Sequence, residues 1–220
     1  MINCRKLVVG CVLSLAAVTP AVAQVSWTDW TSAGTNTASG TLFGGAVDVT
    51  FGGEYFFVQT GCGGNFWTNP TTYISATVPT APPACDLVGL FLGGLKTITF
   101  SQAVVNPLIA MTSWNDQELG VTFSGPITIL SQGPGFWGTG TFSVLGGNTL
   151  IGSGEAHGVI QLVGTYTSFS FTDNTENWHG FTIGAQDVAA GVVPEPATYA
   201  LLTGGLAVLA AVRRRRRTAA

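Results

Sequence analysis

Between residues 24 and 188 apolar and polar positions alternate in short runs instead of recurring every three or four residues. A period of two marks strands, whose successive side chains point to opposite faces. LKTITF (95–100) sets Leu95, Thr97 and Thr99 against Lys96, Ile98 and Phe100. AVDVTF (46–51) and EYFFVQT (54–60) read as strands, and LGVTFSGPITILS (119–131) reads as two divided by Gly125-Pro126. GTFSVL (140–145), TLIGSG (149–154), AHGVIQLVG (156–164), YTSFSFTDN (166–174) and HGFTIGA (179–185) continue the series. Short strands separated by Gly, Asn and Pro, with no long amphipathic helix between them, predict an all-β fold, an antiparallel β-sandwich or jelly roll.

Parity assigns faces. Ala156, Ile160 and Leu162 share one side, while Glu155, His157 and Gln161 share the other with Val159. Glu155 and His157 are therefore expected side by side on a solvent face. Phe169 pairs with Phe171 as a core set, and His179 has the parity of Phe181 and Ile183. A polar group there is expected to be a hydrogen-bonded cap at the entrance of a core strand.

The first 23 residues change the picture, because Arg5-Lys6, an apolar stretch over 7–18 and small residues at Ala21 and Ala23 make an export signal cleaved after Ala23. Gly10 before Cys11 leaves a lipoprotein signal as the competing reading. An exported chain meets conditions in which disulfides persist, so Cys62 and Cys85 are expected to pair across a Gly- and Pro-rich excursion. A metal site is the other use of two cysteines, without the CxxC spacing that would favour it.

Charge is segregated. Between residues 24 and 193 one lysine, Lys96, stands against ten carboxylates, a formal charge of −9. Nucleic acid is excluded as a partner, since its binding rests on Lys and Arg neutralising phosphates. With 46% apolar residues the chain can bury a core of ordinary size.

Candidate chemistry is sparse. G-x-S-x-G, H-E-x-x-H, phosphate-loop and EF-hand patterns are absent from the sequence. Trp67 in NFWTNP, Trp137 in PGFWGTG and Trp178 in ENWHG sit beside Gly, Asn or Pro. They either present flat faces to a polysaccharide or close the ends of the core. Glu155 and Glu176 are the carboxyl pair for the alternative, a secreted glycan hydrolase, which requires both in one cleft. No cofactor is expected beyond a structural calcium ion, for which FTDNTENWHG (171–180) offers oxygen ligands.

The C-terminal segment is the most specific. Pro194, Glu195 and Pro196 precede sixteen uncharged residues, 197–212, and then Arg213, Arg214, Arg215, Arg216 and Arg217. As a helix the apolar run spans about 24 Å, less than the roughly 30 Å hydrocarbon core. The arginines keep their side in the cytoplasm while the body lies outside.

This order resembles the PEP-CTERM sorting signal of Gram-negative bacteria. The resemblance implies recognition of Pro194, Glu195 and Pro196 by exosortase, an integral membrane cysteine protease-like enzyme. It further implies a transient membrane anchor at 197–212, a cytoplasmic stop at the arginines, and cleavage near Pro-Glu-Pro with delivery to the cell surface or extracellular matrix. The body, with Asn106-Pro107 at a strand start and the closing WHGFTIGA, looks like other exosortase-dependent surface proteins. The expected organisation is a signal peptide at 1–23, a β ectodomain at 24–188, a linker at 189–193 and the sorting signal at 194–220. The expected role is non-enzymatic, structural or polysaccharide-binding, in biofilm or floc.

Overall fold

The computed structural model describes residues 24–115 and 120–189. The expected signal helix, the Pro-Glu-Pro motif, the apolar helix at 197–212 and the arginine block lie outside the described residues.

Numbered along the chain, sixteen strands form two antiparallel sheets among the described residues. One sheet runs, in spatial order, β10 (Ile127–Gln132), β13 (Ala156–Leu162), β8 (Leu108–Trp114), β15 (His179–Ala185), β6 (Val88–Leu90) and β5 (Phe57–Val58), with β1 (Ser26–Trp27) also on β15. The other runs β11 (Thr141–Leu145), β12 (Thr149–Ser153), β9 (Val121–Phe123), β14 (Thr165–Asp173), β7 (Gly94–Val105), β4 (Val47–Gly52), β3 (Thr37–Leu42) and β2 (Asp29–Gly34), with β16 (Asp187–Val188) on β7. The Gly125-Pro126 break does more than divide two strands. It sends β9 and β10 into opposite sheets, which is how a chain with a strand every ten residues closes a sandwich.

The main core lies between the sheets and contains Ala156, Ile160, Leu162, Phe169, Phe171, Phe181 and Ile183, whose parity assigned them inward, with Ile98 and Phe100 from the Lys96 face of β7. Lys96 obeys the same parity, so the body's one lysine is buried among them.

A second apolar cluster occupies the outer face of the first sheet. Leu108, Ala110 and Val159 pack there against Val25, Trp67, Tyr73, Val78 and Leu87. Most of the cover is the excursion between β5 and β6, closed by the Cys62–Cys85 disulfide with a Cα separation of 4.6 Å. Every residue of β8 is consequently buried. Each Val- or Leu-sized side chain taken out of water this way contributes roughly 1.5–3 kcal/mol.

This third layer corrects two expectations. Trp67 is 2% exposed, edge-to-face with Tyr73 at 5.0 Å, and has no free ring face to offer a sugar. His157 is fully buried, because the face expected to be wet is covered there too, by the loop between β10 and β11.

Register defines two poles. Trp114 opposite Ala156, Asp173 opposite Gly94 and His179 opposite Leu90 share one end. Leu108 opposite Gln161, Val105 opposite Thr165 and Asp187, and Ser26 opposite Ala185 share the other. The chain leaves the body at the second pole, where the Ala189 N–H donates to the Ala103 carbonyl at 2.7 Å.

Candidate functional site

At the first pole the β8–β13 register slips. Trp114 faces Ala156 and Met111 faces Gly158, so Thr112 and Ser113 together oppose the single residue His157. Ser113 takes a left-handed conformation, φ 61°. Such bulges bend a strand and re-aim side chains. His157 pins this one: its Nδ1 accepts from the Ser113 N–H at 3.1 Å and from the Thr112 hydroxyl at 3.0 Å. A ring nitrogen that accepts carries no proton, so the imidazole is neutral. Burial pushes His157 down to about 4, against the opposing pull of the Glu155 charge.

The bulge turns the Ser113 hydroxyl onto Glu155 Oε2, and the Asn115 side-chain amide donates to Glu155 Oε1. Above His157 passes the loop between β10 and β11. Its Gly135 leaves room for the ring, since a Cβ there would lie 2.1 Å from the His157 Cγ. The Gly135 N–H donates to the Gly138 carbonyl at 2.8 Å, and the resulting turn carries Phe136 and Trp137 outward.

On the other side of β8 lies a buried ion network. Lys96 Nζ is 3.2 Å from Asp173 Oδ1 and donates to the Leu92 carbonyl at 2.9 Å. Asp173 Oδ2 meets His179 Nε2 at 2.9 Å, and His179 Nδ1 meets Glu176 Oε1 at 2.6 Å. The Asn115 N–H donates to Glu176 Oε2 at 3.1 Å. Burial pulls His179 down, yet its hydrogen bonds to Asp173 and Glu176, with their charges, overcome this and hold it above its ordinary value. With both nitrogens facing carboxylates the ring is an imidazolium, and two cations balance two anions. The Trp114 ring packs against His179 at 4.4 Å and seals the network from the core.

Between the bulge and the network opens a cleft of roughly 230 Å³ lined by Ser113, Asn115, Trp137, Glu155, Asn177 and Trp178. Trp137 is 54% exposed and Trp178 half-buried, with ring centroids 6.1 Å apart and planes at 70°. Trp178 is held from behind by Phe57, stacked at 6.1 Å and 14°, and by Phe66 at 5.0 Å. Such backing fixes the ring before any ligand arrives, which limits the ordering cost of binding.

The fold thus brings Trp137 and Trp178 together and leaves Trp67 inside. Within the two Phe-Trp pairs the roles are exchanged: at 66–67 the phenylalanine joins the aromatic cluster beside the cleft, and at 136–137 the tryptophan lines it. Glu155 and Glu176 do meet, on Asn115, but only Glu155 lines the cleft; Glu176 is 5% exposed and committed to His179. Ser113 and Asn115 carried no sequence signal of their own, because a bulge in LIAMTSW has none. No group of three or more His, Cys, Asp or Glu is arranged to hold a metal among the described residues. In FTDNTENWHG, the stretch expected to offer calcium its oxygen ligands, the carboxylates of Asp173 and Glu176 face Lys96 and His179.

No curated protein and no solved structure matches this chain. Residues 192–217 match the family model of the PEP-CTERM protein-sorting motif, a stretch that includes Pro194, Glu195, Pro196 and all five arginines. The chain therefore carries a PEP-CTERM protein-sorting motif, the mark of an exported protein sent to the cell surface by exosortase-dependent sorting through a membrane-associated intermediate.

Proposed function

We propose that the β body is a non-enzymatic cell-surface or matrix protein that binds polysaccharide in the Trp137/Trp178 cleft and contributes to biofilm or floc material. Exosortase is the processing partner, cutting near Pro194, Glu195 and Pro196 and releasing the body from its membrane helix. The observation that carries the binding reading is the pairing of the backed Trp178 ring and the exposed Trp137 ring with Glu155 and Asn177 around one open cleft. Sugar C–H faces stack on indole rings while amides and carboxylates take the hydroxyls.

Polarity of the body supports the reading. Five residue steps separate Ala189 from Pro194, a reach of at most about 17 Å, so a membrane-held intermediate keeps the exit pole close to the bilayer. The cleft lies at the far end of β8, whose seven residues span roughly 20 Å. In that intermediate it faces away from the bilayer.

A glycan array probed with the full chain is expected to give signal that Trp137→Ala removes; an array without signal overturns the binding reading. Release of reducing sugar from bound glycans would instead favour hydrolysis. That reading is the weaker, since hydrolysis needs two carboxyl groups at the scissile bond and Glu176 is buried behind Asn115. For sorting, mass spectrometry of protein from wild-type and exosortase-lacking cells is expected to differ at the C-terminal end. A wild-type product that still carries Arg213 to Arg217 overturns that part.

A further inference from the structure

We infer that the cleft selects a cationic amino sugar, a unit bearing a free ammonium group within a polysaccharide, over neutral or uronic-acid sugars. The inference rests on the glycan-binding reading and names its ligand class from the charge and hydrogen-bond inventory of the cleft.

Charge comes first. Lys96 is the one Lys or Arg between residues 24 and 193, and it is 1% exposed and paired with Asp173. The described surface therefore presents no lysine or arginine, while Asp29, Asp48, Glu54 and Asp187 are exposed. Across the described surface an anionic glycan meets repulsion and a cationic one attraction. At the cleft the imbalance is local. Asp173 and Glu176 have cationic partners in Lys96 and His179, whereas Glu155 is held by two neutral donors, the Ser113 hydroxyl and the Asn115 amide. The other basic group nearby, His157, is uncharged by virtue of its accepting Nδ1.

Hydrogen bonding points the same way. An ionised carboxylate offers about four lone-pair sites, and two on Glu155 are occupied from within. The Ser113 hydroxyl is already spent as a donor, so what is left on Glu155 itself is acceptor capacity, while the Asn177 amide and the indole N–H groups of the lining remain for sugar hydroxyls. An ammonium group, with three donors and no acceptor, matches the carboxylate; an acetamido group has one N–H and no charge. The Trp137 and Trp178 rings, set at 70° to each other, add two π faces beside the carboxylate, and ring faces attract cations.

Binding of the full chain is measured at mildly acidic pH, where sugar amines are protonated, against hexasaccharides of glucosamine, N-acetylglucosamine and glucose and an oligouronate, with choline as competitor. The glucosamine oligomer is expected to bind at least about tenfold tighter than the two neutral oligomers, with no binding of the uronate. That margin is expected to shrink as salt is added. Glu155→Gln is expected to erase the preference and retain weak binding of all three, and Trp137→Ala to weaken all three. Equal affinities for charged and neutral oligomers overturn the cationic inference and leave the glycan reading standing. Failure to bind any oligosaccharide overturns both. Choline competing as well as the amino sugar overturns the sugar class in favour of a small quaternary ammonium ligand. Wild-type protein alone decides each of these outcomes, so a Glu155 variant that fails to fold leaves the test intact.

Discussion

His157 and His179 sit at the same pole, on the strands that flank β8 on either side, and both are fully buried. They are nevertheless in opposite states. His157 faces a backbone N–H and a hydroxyl, accepts from both and stays neutral; His179 lies between two carboxylates and is held protonated. Burial acts on both rings in the same direction, so what separates them is whether the neighbours donate or accept. The neutral corner shapes the cleft by pinning the bulge. The charged corner supports it from below, through the Asn115 N–H on Glu176 and the edge contact of Trp114 with His179.

The comparison breaks most severely at Asp173, the carboxylate shared by Lys96 and His179. Asp173→Asn keeps the shape and leaves two buried cations with one anion between them. Losing one partner of a buried ion pair costs about 3–5 kcal/mol, and denaturant unfolding should read a loss of that size. A loss below about 1 kcal/mol would mean that His179 releases its proton without penalty and that the two corners do not differ in charge.

pH separates the two histidines without removing either partner. For His157 the folded value of about 4 lies below the ordinary 6.5, so the unfolded chain binds the extra proton as pH falls between them, and stability falls with it. Two and a half pH units correspond to about 3 kcal/mol at most. His179 has the opposite sign: its folded value is raised, so its contribution is complete below pH 6.5 and is lost as pH rises through the folded value. Unfolding measured between pH 4 and 6.5 should show a descending acid limb that His157→Gln flattens, since glutamine still offers Ser113 an acceptor but takes no proton. An unchanged limb in that variant would put the titration elsewhere.

Much of this fold is legible in the chain because alternation is a local property. Parity placed Phe169 and Phe181 inward, and it grouped Lys96 with Ile98 and Phe100, which the structure buries together even though lysine is a surface residue by habit. The same rule failed at His157 for a nonlocal reason. Alternation assigns a residue to a face of its sheet, and whether that face meets water depends on where the excursion between Phe57–Val58 and Val88–Leu90 and the β10–β11 loop docked on it lie. That excursion has no periodicity to read. For Trp67 the same layer decided between the two readings left open, since a tryptophan flanked by Asn and Pro fits a surface loop until the loop turns out to be a layer. Of the cleft, Trp137, Trp178 and Glu155 were named as candidates; their convergence with Ser113 and Asn115 depends on a one-residue slip between β8 and β13.

The Cys62–Cys85 disulfide sharpens the comparison because the excursion it closes holds, through the Thr72 hydroxyl on the Pro134 carbonyl, the β10–β11 loop that covers His157. Its loop of 24 residues counting both cysteines corresponds to about 3 kcal/mol of chain-entropy stabilisation. Replacing both cysteines with serine should cost about that much. It should also let the His157 titration, followed by NMR of its ring protons, move back toward the ordinary value while His179 keeps its raised one. Equal movement of both rings would show that the excursion covers the whole pole and not the His157 face alone.

The smallest effect tests the bulge itself, the local feature on which the His157 side depends. Ser113 combines a left-handed backbone with a hydroxyl donated to Glu155. Replacing it with alanine deletes the hydrogen bond and keeps a Cβ in a conformation that costs an L-residue roughly 1–2 kcal/mol. Glycine deletes the same bond but removes that backbone cost. In an ordinary strand alanine is the more stable of the two, because glycine has more freedom to lose on folding. At position 113 the order should reverse, with Ser113→Gly about 1 kcal/mol more stable than Ser113→Ala by denaturant unfolding. Because neither variant retains the hydroxyl, the difference between them isolates the backbone. Alanine proving the more stable would mean that the bulge relaxes once the hydroxyl is gone, and that His157 follows the turn instead of holding it.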